Sequence, residues 1–483
     1  MAGIGVKLNK LYEKNTLLTT LSGISYSMIV TIAPMIIGML MIWGMSYLLG
    51  FRELDYAHRE LFSCTVLYIF IFSLIVTSSL NAVISRYMSD VIFEERYSEI
   101  MACFYYCLII IVVMAVLPMV PFFIHEYHIG GVDPVFILIS FGGCLGLVLT
   151  FYCMTYLSIC KDYAKISLFY LVGLGIGLLI AWGLYGLFHV PTIYAMLSGI
   201  MVGFLLTATL EYAQLLSYFR DNSHNYTAIN QHFKKYWQLI VANTAYIVGL
   251  YSHNFVFWNT DMRMVVVRTF VCAQPFDMAT FLALLTNISA TTIFISSVER
   301  RFTFRYRKYS EMVIGGRLED IEVAQKRMFR QLSVELMGLV RIQFIISIVL
   351  FLFFVVMMPQ FGISGLVMQI YPALAAGYFI LFLMYAGLNF LYYFNDLTGA
   401  VMISVGFLVT DVIASIWSSH LGEIWYGIGL VIGAFVGWTI AYLRLRWVEK
   451  NLERHIFCEA HLLERGHGSR PSDLVFVREK EEC

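Results

Sequence analysis

The residues able to do chemistry in this chain are few, and most stand alone inside apolar runs. Asp411 lies in Leu408-Val409-Thr410-Asp411-Val412, and Glu211 lies in Thr209-Leu210-Glu211-Tyr212. A carboxyl in such a setting is costly toward lipid, so it serves either internal packing or the coupling of a proton or ion, Glu211 having the further option of facing interfacial water. Asn243, His253, Asn254 and Asn287 bring donors and acceptors that suit hydroxyl and N-acetyl groups, and equally suit bonds between helices. Tyr251 and Trp258 close the same apolar run; they read either as a belt at the membrane boundary or as a stacking platform for sugar rings. Pro34 and Pro372 interrupt apolar runs and predict kinks, static or gating.

The known engines are missing. No Gly-Lys pair occurs, so no phosphate cradle of the P-loop type exists, and no two aspartates are spaced by one residue as in many nucleotide-sugar transferases. His455, Cys458 and Glu459 share a helical face, but His461 falls off it, and the set reads as part of a solvated basic tail. No metal, cofactor or enzymatic activity is expected. Nine cysteines are scattered without a CxxC pair, which is not a disulfide framework.

The elements that position these residues are apolar helices. The chain is 60% hydrophobic and only 13% charged, far from the balance of a soluble domain. A helix needs about 20 apolar residues to cross a bilayer. Twelve runs qualify: 21–49, 62–83, 101–123, 135–160, 166–188, 193–216, 237–258, 278–298, 342–358, 370–391, 398–417 and 424–443. With the N-terminus inside, 28 of the 32 Lys and Arg fall on the cytoplasmic side, and Arg52, Arg59, Arg263 and Arg268 are the four outside. That asymmetry predicts cytoplasmic termini and an inner-membrane protein. No Lys or Arg lies within a span. The net charge of zero gives no reason to expect a nucleic-acid partner.

The expected fold is therefore an all-α polytopic membrane protein. Residues 1–222 make one six-helix bundle and 223–443 a second, with a cytoplasmic insertion at 299–341 and a basic tail at 444–483. Two halves of six spans suggest a duplicated transporter, although no residue-level repeat is visible. The outer loop places Asp261, Arg263 and Arg268 at the expected outer vestibule. In the insertion, apolar residues at 318, 321, 328, 332, 336 and 339 trace one helical face beside Arg317, Lys326, Arg327 and Arg330. This face, with Leu318, Arg327 and Leu332, predicts either a helix on anionic lipid or a dock for a partner protein.

Several stretches carry a family resemblance: Met1–Val6 (MAGIGV), Ser252–Trp258 (SHNFVFW) with Asp261–Val265, Gln274–Thr280 (QPFDMAT), Leu284–Thr291 (LLTNISAT), Gly315–Leu318 (GGRL), Tyr371–Phe379 (YPALAAGYF) and Tyr392–Ala400 (YYFNDLTGA). Together the chain resembles the PelG family, within the multidrug/oligosaccharidyl-lipid/polysaccharide exporter superfamily. The resemblance implies two six-helix bundles around a cavity that opens alternately to each side. It implies export of an amino-sugar-rich exopolysaccharide into a biofilm matrix. Implied partners are a cytoplasmic glycosyltransferase and other Pel-system membrane proteins, including a cyclic di-GMP sensor. Some relatives that flip pyrophosphate-linked sugars place cations in the cavity; the absence of Lys and Arg from these spans favours an essentially neutral glycan. A lipid-linked oligosaccharide flippase and a passive scaffold of the synthase are the alternatives.

Overall fold

The computed structural model describes residues 17–160, 162–297, 302–361 and 365–454. The hexapeptide Met1–Val6 and the His455–His461 cluster lie outside them. The first half is built from α1 (Leu17–Leu48), α2 (Tyr56–Phe93), α3 (Ser98–His125), α4 (Pro134–Ile159), α5 (Tyr163–Gly186) and α6 (Thr192–Tyr218). A short helix, α7 (Tyr226–Lys235), precedes α8 (Trp237–Phe257), a two-stranded hairpin of β1 (Met264–Val266) and β2 (Phe270–Cys272), and α9 (Gln274–Ser297). Then follow α10 (Thr303–Gly315), α11 (Leu318–Met357), α12 (Gly365–Tyr393), α13 (Leu397–Ser418) and α14 (Ile428–Arg454).

Nine helices among the described residues are long and apolar enough to cross a membrane: α2 to α6 and α11 to α14. The other three expected spans are helical as well, but do not meet the same measure. In α1 the side chains are described only from Ile32, which leaves the apolar stretch Ile32–Leu48. In α9 the side chains are described only as far as Asn287, and in α8 the reason is chemical, because Asn243, His253 and Asn254 dilute the apolar character. Pro34 and Pro372 sit inside α1 and α12 without ending either helix.

The helices pack in a repeated order. In the first half α1 meets α5, α5 meets α6, α6 meets α4, α4 meets α2, and α2 meets α3. In the second half α8 meets α13, α13 meets α14, α14 meets α12, α12 meets α9, and α9 meets α11. Helix for helix, the sequence of contacts is the same. Between the halves α2 meets α8 and α1 meets α9, the exchanged pairing of two related units. The buried apolar residues form two clusters that largely follow the halves, except that Ile229 of α7, Leu239 of α8 and Val266, Phe270 and Cys272 of the hairpin join the first, and Ile71 of α2 joins the second.

Close packing inside each half relies on small residues, the usual device where lipid supplies no hydrophobic drive between helices. A Cβ on Gly199 of α6 would come 2.6 Å from the Gly177 carbonyl of α5. Asp396 fixes the start of α13: buried, it caps the Gly399 amide at 3.0 Å and holds Arg444 of α14 through two bonds of 2.5 and 3.0 Å. This assigns part of the Tyr392–Ala400 stretch to structure.

α11 is one continuous helix of 40 residues, so its amphipathic start runs without a break into its apolar end and does not form a separate helix on a lipid surface. Its apolar stripe turns inward. Met328, Leu332 and Leu339 are buried in the second cluster, and Phe329 stacks on Phe394. Leu332 is therefore not available to a partner, whereas Leu318 and Arg327 are exposed. At the junction of the halves, α7 buries Ile229, and His232 packs its ring on Tyr236 and Tyr87. Burial, with Arg86 and Lys235 nearby, lowers His232 to about 4.

Candidate functional site

α8 and the turn after it carry Val248, Ser252, Phe255 and Asn259, and α13 with the turn after it brings Leu408, Val412, Ile416 and Ser419 to the same space. Between the two helices lies a cavity of about 630 Å³. Its wall is apolar along the helices and polar at one end, where Asn259, Thr260, Asp261 and His420 gather beside Tyr426. No Lys or Arg lines it. Asp261 lines the polar end of this cavity, while Arg263 and Arg268 are exposed and do not line it.

Ser252 joins this cavity to the deepest carboxyl of the second half. Its hydroxyl donates to Asp411 Oδ2, and Asp411 is fully buried. His253 Nδ1 stands 3.7 Å from the same oxygen, and its Nε2 is 3.3 Å from the Tyr378 hydroxyl. Asp411 Oδ1 and His253 Nδ1 have no hydrogen-bond partner. α14 presses directly on this point: a Cβ on Gly433 would lie 2.8 Å from Asp411 Cα, so glycine is required for the helices to meet there. The second half thus holds a buried, half-satisfied carboxyl beside an imidazole.

The other expected path residues are already engaged. Asn254 donates to Asp277 at 2.7 Å, and Trp258 donates to both oxygens of Asp277 at 3.0 and 3.1 Å. The Ala273 amide completes the set at 3.0 Å, so Asp277 ties the end of α8 to the start of α9. Asn287 accepts from Gln343 of α11 at 3.1 Å, and Asn243 donates to the Ser78 carbonyl of α2 at 2.5 Å. Tyr251 and Trp258 are buried and form no exposed belt. The polar residues of α8 and α9 thus hold helices together, and Ser252 is the α8 residue that both lines the cavity and reaches Asp411.

Glu211 differs from the interfacial reading. It is fully buried in α6, both its oxygens lack a hydrogen-bond partner, and Cys153 and Tyr170 are its ionisable neighbours. The sequence reading gives no individual role to Ser252, Asp277, Tyr378 or Gln343, although the first three lie in the stretches that carry the family resemblance; their partners on other helices make them significant.

On the hairpin side an aromatic seam joins the halves. Tyr68 of α2 packs on Trp258 with ring centres 5.0 Å apart and on Phe270 at 5.7 Å, and Phe72 stacks on Phe255 at 6.2 Å. Thr269 donates to the buried Glu126. The hairpin of the second half is thereby seated on the first.

A family model for the exopolysaccharide exporter PelG (EPS-E) matches residues 1–457. No curated protein matches the chain. Among solved structures, an outward-facing MATE-family multidrug resistance transporter of the MOP superfamily superposes with a TM-score of 0.61 at 13% identity, over 89% of this chain and 96% of that one. Its inward-facing counterpart gives 0.57 at 12% identity over the same shares. A MOP superfamily transporter from Pyrococcus furiosus gives 0.60 at 12% identity, over 88% of this chain and 96% of that one. At these identities the likeness establishes the fold alone, a predominantly helical architecture shared with these proteins.

Proposed function

The chain belongs to the PelG family of exopolysaccharide exporters, and on that premise we propose that it passes a growing, essentially neutral, amino-sugar-rich glycan outward across the inner membrane. The observation that carries this reading is the cavity between α8 and α13, whose mouth offers amide, hydroxyl and carboxylate groups and whose wall holds no cation. Hydroxyls and N-acetyl groups are bound by such a set, whereas a pyrophosphate anchor would need positive charge. The lipid-linked flippase reading loses support for that reason.

In this proposal both termini are cytoplasmic, and a cytoplasmic glycosyltransferase delivers the polymer. The other Pel-system membrane proteins, a cyclic di-GMP sensor among them, act around it. Asp411 and Glu211, one buried carboxyl in each half, couple export to a proton gradient. The exposed Leu318 and Arg327 mark where a cytoplasmic partner would meet the chain. The test is polymer accumulation in inverted membrane vesicles holding this protein and its synthase, with and without a proton gradient. Polymer that stays outside the vesicles although synthesis proceeds would reject the export reading and leave the scaffold reading in its place.

A further inference from the structure

We propose that Cys64 and Cys272 are a redox-modification site, whose disulfide locks the two halves together along the hairpin seam. The placement follows from a ladder of contacts up one face of α2, each four residues and so about one helical turn from the last. At the first rung Gln274 donates to Glu60 at 3.0 Å. At the last, the Tyr68 hydroxyl donates to the Val271 carbonyl and accepts from the Val271 amide. Between them, on the same face, Cys64 stands one turn from each rung, and Cys272 lies between Val271 and Gln274 on the facing segment. The two cysteines are 2% and 3% exposed, in a shared apolar cluster, and both are free.

α2 belongs to the first half and the hairpin to the second, so a bond here would cross the seam that any opening on this side must part. Burial makes the chemistry dependent on conformation. With the hairpin seated, the thiols are hidden; with it lifted, Cys272 can meet an oxidant. The oxidant is of the protein-disulfide class, a thiol–disulfide oxidoreductase acting outside the membrane. The Cys272 thiolate attacks one sulfur of its disulfide and releases the other as a thiolate. The Cys64 thiolate then attacks the Cys272 sulfur of the mixed disulfide and displaces the oxidant's second thiolate. One S–S bond is formed in the chain, and one is broken in the oxidant. The oxidant ends as a dithiol carrying the two protons lost by the chain. A dithiol reverses the step.

The bond itself is independent of the export reading; its effect on transport rests on it. The full chain in native membranes is treated with diamide, which crosses bilayers, then denatured and tagged with a maleimide polymer. Of the nine cysteines, two fewer should react after oxidation, and peptide mass spectrometry should join Cys64 to Cys272. Cys64→Ser and Cys272→Ser should each lose no thiols between these two positions. In vesicles, export should fall at least about tenfold on oxidation, return with dithiothreitol, and stay unchanged in Cys64→Ser. No linked peptide in the wild-type chain, or Cys272 linked to a different cysteine, would overturn the site. A linked peptide with undiminished export would overturn the lock. Absence of export from reduced protein would count against the export reading, while the peptide measurement still decides the bond.

Discussion

The hydroxyl of Tyr68 satisfies both backbone groups of Val271, donating to its carbonyl at 2.5 Å and accepting from its amide at 3.1 Å. One side chain of the first half thereby replaces two hydrogen bonds that a strand would otherwise seek. Tyr68→Phe keeps the ring contacts with Trp258 and Phe270 but leaves those two groups unpaired, at a cost of about 1–3 kcal/mol. The seam should loosen without global unfolding. Alkylation of the buried Cys272 by a small permeant maleimide should become several-fold faster; an unchanged rate would show that the aromatic packing alone holds the hairpin.

Asp411→Asn retains the shape of the side chain and an acceptor for Ser252, but cannot ionise. Gradient-driven export should drop at least about tenfold, equivalent to about 1.4 kcal/mol, with protein level and thermal midpoint little changed. Equal export by the amide variant would assign Asp411 to packing.

Glu211 has both oxygens buried without partners, so replacing it with Met should remove a burden. The expected gain is about 1–3 kcal/mol, read as a higher thermal midpoint in detergent, together with loss of gradient-dependent export. A lower midpoint would mean that the carboxyl has a stabilising role.

His232 lies outside the membrane spans and titrates near 4 in place of 6.5, chiefly because burial disfavours its charge, with Arg86 and Lys235 adding to it. The opened state therefore binds the proton first as pH falls. The packing of α7 should be fully stable above about 6.5 and weaken progressively down to about 4. Protease cleavage of the 219–236 linker, followed from pH 7 to pH 4, should rise over that window in the wild type. The rise should shrink in His232→Phe; an identical pH profile would remove His232 from the account.

Topology can be read at two glycines whose added side chains meet no other atoms. Cysteine at Gly422 should react with an impermeant thiol reagent applied outside, and cysteine at Gly315 should not. The reverse pattern would invert the orientation proposed from the positive charges.

The apolar runs were legible because a bilayer tolerates little else, and each expected span within the described residues is helical. Polar residues within those runs stood out for the same reason, but their partners did not. Ser252 reaches Asp411 across 159 positions and Asn287 reaches Gln343 across 56, and spacing alone cannot pair them. The stripe on α11 was legible as amphipathic, yet periodicity does not say what covers an apolar face; here α9, α10 and α12 do. The repeat was hidden because it is kept in the order of helix contacts, with no matching residue identities. Cys64 and Cys272 looked scattered for want of the ladder that aligns them.

The continuity of α11 has a mechanical consequence. From Leu318 to the expected membrane edge at Ile342 is 24 residues, about 36 Å of helix at 1.5 Å per residue. A helix carried as a rigid rod would convert a tilt of about 10° at its membrane end into a sweep of about 6 Å at the tip. The exposed end near Ile314 and Leu318 is thus the pointer of a gauge whose pivot lies in the bilayer. Whatever touches that pointer would feel the posture of the second half without entering the membrane.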